Sequence, residues 1–179
     1  MKTPSKIYIV GIAGSGKTTL ARRLKRELGY PNLDLDRVRY PDFKTTPDDA
    51  TLKPSISHLL EQPKWVAEGA YTTWSAPLLE AADSIIWLDT DPAIATYRIL
   101  KRHIIKLLHG QKHFSNRSTI TLAWAALNSR RTGPFLRKTG ARQTAIPWHQ
   151  EIEEGLAPYN EKVLHFDSLN AADKVVFEK

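Results

Sequence analysis

The chain has 179 residues, of which 41% are hydrophobic and 25% are charged, a balance typical of one soluble globular domain. It contains no cysteine, which excludes disulfides and zinc sites built on thiolates. The formal net charge of +7 indicates an anionic partner, either nucleic acid or a nucleotide held in a pocket. No apolar run approaches membrane-spanning length, and the glycine-rich start is unlike a signal peptide. We therefore expect one cytoplasmic domain that does not associate with membranes.

Short apolar runs alternate with helical patterns along the chain, which predicts an α/β fold with a parallel sheet. The predicted strands cover residues 6–10, 32–36, 64–68, 84–89 and 163–166. The predicted helices cover residues 17–28, 55–61, 76–82, 91–108 and 171–177. In the helix over 91–108 the apolar residues recur at helical spacing and form one stripe. They are Ile94, Tyr97, Leu100, Ile104 and Leu108.

A basic segment over about 111–148 does not fit this alternation. We expect it to be a helical lid inserted into a single domain that covers residues 1–179.

The segment from Gly11 to Thr18, GIAGSGKT, matches the phosphate-binding pattern G-x-x-x-x-G-K-[ST] between a predicted strand and a predicted helix. Glycines allow successive backbone N–H groups to point at phosphate oxygens, and the helix adds the positive end of its dipole. In this motif Lys17 binds the β- and γ-phosphates and Thr18 binds Mg²⁺. The sequence thus predicts an ATP and Mg²⁺ site. Its predicted nucleotide-binding residues are Gly11, Ala13, Gly14, Ser15, Gly16, Lys17, Thr18 and Thr19.

Five sequence pieces occur in an order that resembles the adenylate-kinase-like kinases and, among them, the DNA topology modulation protein family. The pieces are GIAGSGKTTLARRL, NLDLD, WVAEGAY, ADSIIWLD and YRILKR. The resemblance implies a three-layer P-loop NTPase fold with a five-stranded parallel sheet in the order 2-3-1-4-5 and a helical lid. The chain departs from that family in two places: it has Glu68-Gly69-Ala70 where the family usually has Asp-Gly-Asn, and its lid does not match.

Carboxylates follow the second, third and fourth predicted strands. Glu68 is similar to the acidic residue that holds Mg²⁺ through a water in these kinases; it could instead polarise an attacking hydroxyl or form a structural ion pair. Asp36 corresponds to a position that faces the acceptor in relatives, where a carboxylate suits a base for a hydroxyl substrate, and the alternative is a turn or cap residue. Asp34 would share its strand face. Asp89 is more typical of a residue that starts a turn.

Three cations, Arg98, Arg102 and Lys106, are spaced four residues apart and lie on one helix face, where an anion would relieve their mutual repulsion. The resemblance implies that Arg98 stacks on adenine and that Arg102 contacts phosphate. The alternative is a solvated helix face. Arginines suit the equatorial oxygens of the transferred phosphoryl group, and in the lid Arg117 is our first candidate for that role. The other lid arginines are Arg130, Arg131, Arg137 and Arg142.

These features predict an ATP-dependent phosphotransferase that moves the γ-phosphoryl group to a small acceptor, with catalytic candidates Lys17, Asp36, Glu68, Arg102 and Arg117 and metal ligands Thr18 and Glu68. The acceptor could be a hydroxyl metabolite or a nucleoside monophosphate. Only Arg37 and Arg39 lie where a monophosphate kinase needs acceptor-side arginines, which favours a hydroxyl. The alternatives are a nucleotide-switched nucleic-acid-binding protein, for which the charge of +7 argues, and a kinase of nucleic-acid 5′-hydroxyls.

Overall fold

The computed structural model describes residues 4–40, 49–110, 116–131 and 148–177. The strands are β1 Lys6–Val10, β2 Asn32–Asp34, β3 Trp65–Gly69, β4 Ser84–Leu88 and β5 Val163–Phe166. The helices are α1 Lys17–Leu28, α2 Leu35–Arg39, α3 Asp49–Leu60, α4 Ala76–Ala81, α5 Pro92–Leu108, α6 Asn116–Leu127, α7 Trp148–Leu156 and α8 Leu169–Phe177. A 3₁₀ helix, Ala157–Lys162, joins α7 to β5.

The strands form one sheet in the order β2-β3-β1-β4-β5, and each neighbouring pair is parallel. Every residue of β3 and of β4 is buried, as expected for parallel strands that are covered by helices on both faces. The predicted fold class and strand order are confirmed. β1 lies at the centre of the sheet. Because the strands are parallel, the loop that follows β1 opens at their shared carboxyl edge, where α/β folds bind their ligands.

Alternate residues of β1 enter two separate cores, which gives the fold its three layers. Tyr8 and Val10 belong to the core that also contains Leu79 of α4 and Ile152 of α7. On the other face, Ile7 and Ile9 join Leu20 and Leu24 of α1 and Ala172 of α8. The two-residue period of the strand thus places one helical layer on each side of the sheet.

Two predicted element boundaries between β2 and β3 were wrong. The predicted strand over 32–36 ends at Asp34, because the Asp34 carboxylate accepts a hydrogen bond from the Arg37 N–H at 3.2 Å and caps α2. Asp36 therefore lies in a helix. The helix predicted over 55–61 begins at Asp49 and contains Pro54 in its interior, a residue that the sequence pattern places in a loop.

The predicted lid segment contains one described helix, α6, and a second helix, α7, starts at its end. Ala123 and Ala126 of α6 pack on Ile99 of α5, and Ala13 of the phosphate loop borders the same cluster. The remaining residues of the predicted lid, 111–115 and 132–147, lie outside the described residues. Among the described helices, none combines the length and the apolar character that crossing a bilayer requires.

Gly155 allows α7 to approach the loop after β3 closely, because a Cβ at this position would overlap the Thr72 side chain. We expect Gly155→Ala to lower the free energy of unfolding by roughly 1–3 kcal/mol through overpacking, measured by urea denaturation. The exposed neighbour Glu154 on the same helix is the matched control, and Glu154→Ala should change stability by less than about 0.5 kcal/mol. Equal stability of the two variants would contradict the close approach.

Candidate active site

The loop between β1 and α1 has the backbone of a phosphate-binding turn. Gly14 is left-handed with φ 82°, and a Cβ there would overlap the Ala95 carbonyl oxygen of α5. Gly16 caps α1 with φ 109°, also in the left-handed region, which L-residues with a side chain rarely adopt. The first-turn N–H groups of a helix have no partner within the helix. Because no acidic side chain occupies the first turn of α1, this end is electrostatically suited to an anion.

Lys17 begins α1 and is almost completely buried, with 6% of its surface exposed. Its ammonium donates to the Ile12 carbonyl at 2.9 Å. Burial lowers the pKa of Lys17, while the negative charges of Asp36 and Glu68 act in the opposite direction. The ammonium is therefore a desolvated cation inside the loop, within electrostatic range of two carboxylates.

Glu68 and Thr18 connect the loop to β3. The Thr18 hydroxyl donates to Glu68 Oε2 at 3.0 Å, and Glu68 is only 2% exposed. The other carboxylate oxygen, Oε1, is buried without a hydrogen-bond partner among the described residues, and so is Ser15 Oγ. Burial raises the pKa of Glu68 to about 7, although Lys17 acts to lower it. A buried carboxylate with one unpaired oxygen is suited to a cation or to a bridging water.

Asp36 lies in α2 and is held by Tyr71. The Tyr71 hydroxyl donates to Asp36 Oδ1 at 2.9 Å. The Tyr71 carbonyl in turn accepts the hydroxyls of Tyr8 and Ser75 at 2.6 and 2.9 Å, and the Trp74 ring lies 5.0 Å from the Tyr71 ring. The buried hydroxyls of Tyr8 and Ser75 thus hold the backbone of Tyr71, and the Tyr71 side chain is the partner of Asp36. Asp34, by contrast, serves as the cap of α2.

One cation of α5 contacts the phosphate loop. Arg98 donates to the carbonyls of Ser15 at 3.1 Å and Gly14 at 3.4 Å. Arg102 is exposed, and its positive charge makes a small contribution to the lowered pKa of Lys17. The structure therefore brings together the loop, Glu68 and Arg98, while Asp36 and Arg102 act on Lys17 only through their charges. The side chain of Arg117 is outside the described part of the structure, as are Arg137 and Arg142.

A cluster around Asp89 was missed by the sequence analysis. At the carboxyl end of β4, Asp89 Oδ2 accepts hydrogen bonds from Arg130 at 3.1 Å, His149 at 3.1 Å and His165 at 3.3 Å, and the Trp87 ring contacts both imidazoles. Partial burial acts to raise the pKa of Asp89, but the bonds from His149 and Arg130 outweigh it and lower the pKa. The position of Asp89 after a strand was a usable signal, whereas no spacing links its three partners.

Within residues 4–40, 49–110, 116–131 and 148–177, no three His, Cys, Asp or Glu side chains are grouped so that they could hold a metal ion.

Comparison with known proteins supports the fold. No protein-family model matches the chain. A crystal structure of a candidate kinase from Chloroflexus aurantiacus j-10-fl superimposes with a TM-score of 0.51 at 19% identity, over 99% of this chain and 98% of the other. The chain therefore shares its overall fold with that structure.

Two sequence relatives cover different shares of the chain. The uncharacterised protein YqaC of Bacillus subtilis (strain 168) is 28% identical over 130 residues, which span 68% of this chain and 71% of YqaC. Shikimate kinase of Prosthecochloris aestuarii (strain DSM 271 / SK 413) is 51% identical over 37 residues, or 21% of this chain and 19% of the kinase. The second similarity is local.

The raised pKa of Glu68 predicts a specific pH dependence of stability. From about pH 4.5, the ordinary value, to about pH 7, the folded chain retains a proton that the unfolded chain has lost. The free energy of unfolding therefore falls as pH rises through this window. We expect Glu68→Gln to reduce the difference in the free energy of unfolding between the two ends of this window by roughly 2–3 kcal/mol. Urea denaturation at both ends measures it. The exposed Glu61→Gln is the control, and an unchanged slope in Glu68→Gln would refute the shift.

Proposed function

We propose that this chain is an ATP-dependent phosphotransferase that moves the γ-phosphoryl group to a hydroxyl of a small acceptor. The observation that carries the proposal is the convergence of Lys17, Thr18 and Glu68 at the carboxyl edge of the sheet, where Glu68 Oε1 is buried and has no hydrogen-bond partner among the described residues. The local similarity to a shikimate kinase, an enzyme named for a small acceptor, supports the same reaction class.

The residues present fit Mg²⁺ and a triphosphate. The Thr18 hydroxyl and the Glu68 carboxylate are oxygen ligands of the kind that Mg²⁺ prefers, and Glu68 would act directly or through a water. When bound, the ion neutralises charge on the phosphate oxygens. The loop N–H groups and Lys17 would hold the β- and γ-phosphates. Arg98 and Arg102 would face the nucleotide from α5.

Asp36 is our candidate for the base. Tyr71 holds Oδ1, so we assign Oδ2 to the acceptor hydroxyl. As the hydroxyl oxygen forms its bond to the γ-phosphorus, the bond from that phosphorus to the β–γ bridging oxygen breaks, ADP leaves, and Asp36 takes the hydroxyl proton.

A hydroxyl acceptor fits the described charges better than a nucleoside monophosphate does. Arg37 pairs with Asp34 at 3.6 Å, and Arg39 lies 5.9 Å from the centre of the Trp74 ring. The acceptor side of the described structure thus combines a carboxylate, two aromatic rings and one arginine. Membership of the DNA topology modulation family stays a hypothesis that rests on the ordered sequence pieces.

The acceptor can be identified with γ-labelled ATP and a panel of hydroxyl metabolites, nucleoside monophosphates and 5′-hydroxyl oligonucleotides. We expect label in a hydroxyl metabolite. Transfer to oligonucleotides alone would replace the proposal with the nucleic-acid alternative.

Lys17→Ala should reduce phosphoryl transfer by at least about 100-fold, since it removes a cation at the transferred group. The matched control is Lys25→Ala, an exposed lysine of the same helix, which should transfer at the wild-type rate. Transfer rates are measured with the labelled nucleotide, and circular dichroism checks that both variants fold. Equal rates in the two variants would refute the role of Lys17.

Asp36→Asn should lower kcat by about 100-fold or more with a small change in the KM for ATP, because the base is lost while the nucleotide site is intact. Tyr71→Phe should lower kcat less, because it removes the hydrogen bond that holds the Asp36 carboxylate in place. Steady-state kinetics measure both. A rise in the KM for ATP alone would place Asp36 in nucleotide binding instead.

A further inference from the structure

The outer face of α5 is apolar and exposed along its whole length. It carries seven large apolar side chains, with exposed fractions that range from 40% at Leu100 to 79% at Leu108. The seven residues are Ile94, Tyr97, Leu100, Ile104, Ile105, Leu107 and Leu108. The inner side of the helix uses Ala95 and Ile99, which are buried. The apolar stripe expected from the sequence therefore exists, but it points away from the core of its own domain.

The spacing along this outer face is that of a helix packed against another helix. Tyr97, Leu100, Ile104 and Leu107 follow steps of three, four and three residues, which are the a and d positions of a heptad. Ile94 and Leu108 occupy e positions of the same repeat. An a, d and e stripe is the pattern of a helix whose face is covered in a bundle.

We propose that the outer face of α5 is a dimer interface that pairs with the same face of a second copy of this chain. At roughly 100 Å² for each half-exposed side chain, the seven residues offer ~700 Å² on each partner, close to the ~800 Å² of a stable interface. That patch exceeds the 300–600 Å² typical of the largest exposed apolar patch on a monomer. A two-fold interface uses one patch twice, and this patch is apolar apart from Lys101.

Charge favours a second copy over a nucleic acid or a lipid surface. Arg98, Arg102 and Lys106 lie on the opposite side of the helix, and Arg98 is bonded to the phosphate loop. Lys101 is the single charged residue of the outer face, at an e position, and its ammonium lies 5.8 Å from the centre of the Tyr97 ring. Its aliphatic stem can lie along the interface. An interfacial lipid-binding helix keeps the cations of its polar face available to anionic headgroups, whereas Arg98 of α5 donates to the phosphate loop.

Dimerisation through α5 is independent of whether the chain transfers phosphoryl groups. Sedimentation equilibrium of the full chain should give a mass near 40.6 kDa, twice the 20.3 kDa of one chain. The double variant Leu100→Ser/Ile104→Ser should halve that mass and keep the wild-type circular dichroism spectrum. The control Val175→Ser, an equally exposed apolar residue on α8, should remain dimeric.

Three results would overturn the proposal. The wild-type chain could remain at 20.3 kDa at hundred-micromolar concentration. The double variant could keep the dimer mass, which would place the interface elsewhere. The wild-type monomer could sediment with phosphatidylglycerol vesicles and lose this binding in the double variant, which would assign the face to lipid.

Discussion

The hydrogen bond between the Thr18 hydroxyl and the Glu68 carboxylate is the contact on which the rest of the site depends. It joins the start of α1 to the end of β3 at 3.0 Å and sets a buried acid beside the buried cation of Lys17. Glu68 and Lys17 are 2% and 6% exposed, so each loses most of its hydration. Buried opposite charges are tolerated when they are paired or serve a ligand. Their location at a phosphate loop favours the ligand.

The sheet makes this arrangement possible. Parallel strands end at one edge, so β1, β2, β3 and β4 bring the loop, α2, Glu68 and Asp89 to the same side of the molecule. The glycines then fix the distances: Gly14 admits the Ala95 carbonyl of α5, and α5 brings Arg98 to the loop carbonyls. One helix thus presents Arg98 to the phosphate loop and its apolar face to the outside.

Sequence reasoning predicted the strands and the phosphate loop, because each depends on local chemistry: apolar runs, glycine positions and a motif of eight residues. The strand order came from the resemblance of the five ordered sequence pieces to a known kinase family. It placed Asp36 in a strand, since a short apolar run does not reveal that Asp34 will cap a helix. The Asp89 cluster joins β4, β5, the turn after α6 and the start of α7, and no local signal encodes such contacts. The α5 stripe was visible, but periodicity does not tell whether a stripe faces its own core or a partner.

The most direct test of the central claim is a calorimetric titration of the wild-type chain with ATP, with Mg²⁺ present and with Mg²⁺ removed by chelation. If the loop, Lys17, Thr18 and Glu68 form a triphosphate site, one ATP binds per chain and binding weakens when Mg²⁺ is removed. Absence of any binding heat in both conditions, or an affinity that Mg²⁺ does not change, would contradict the account.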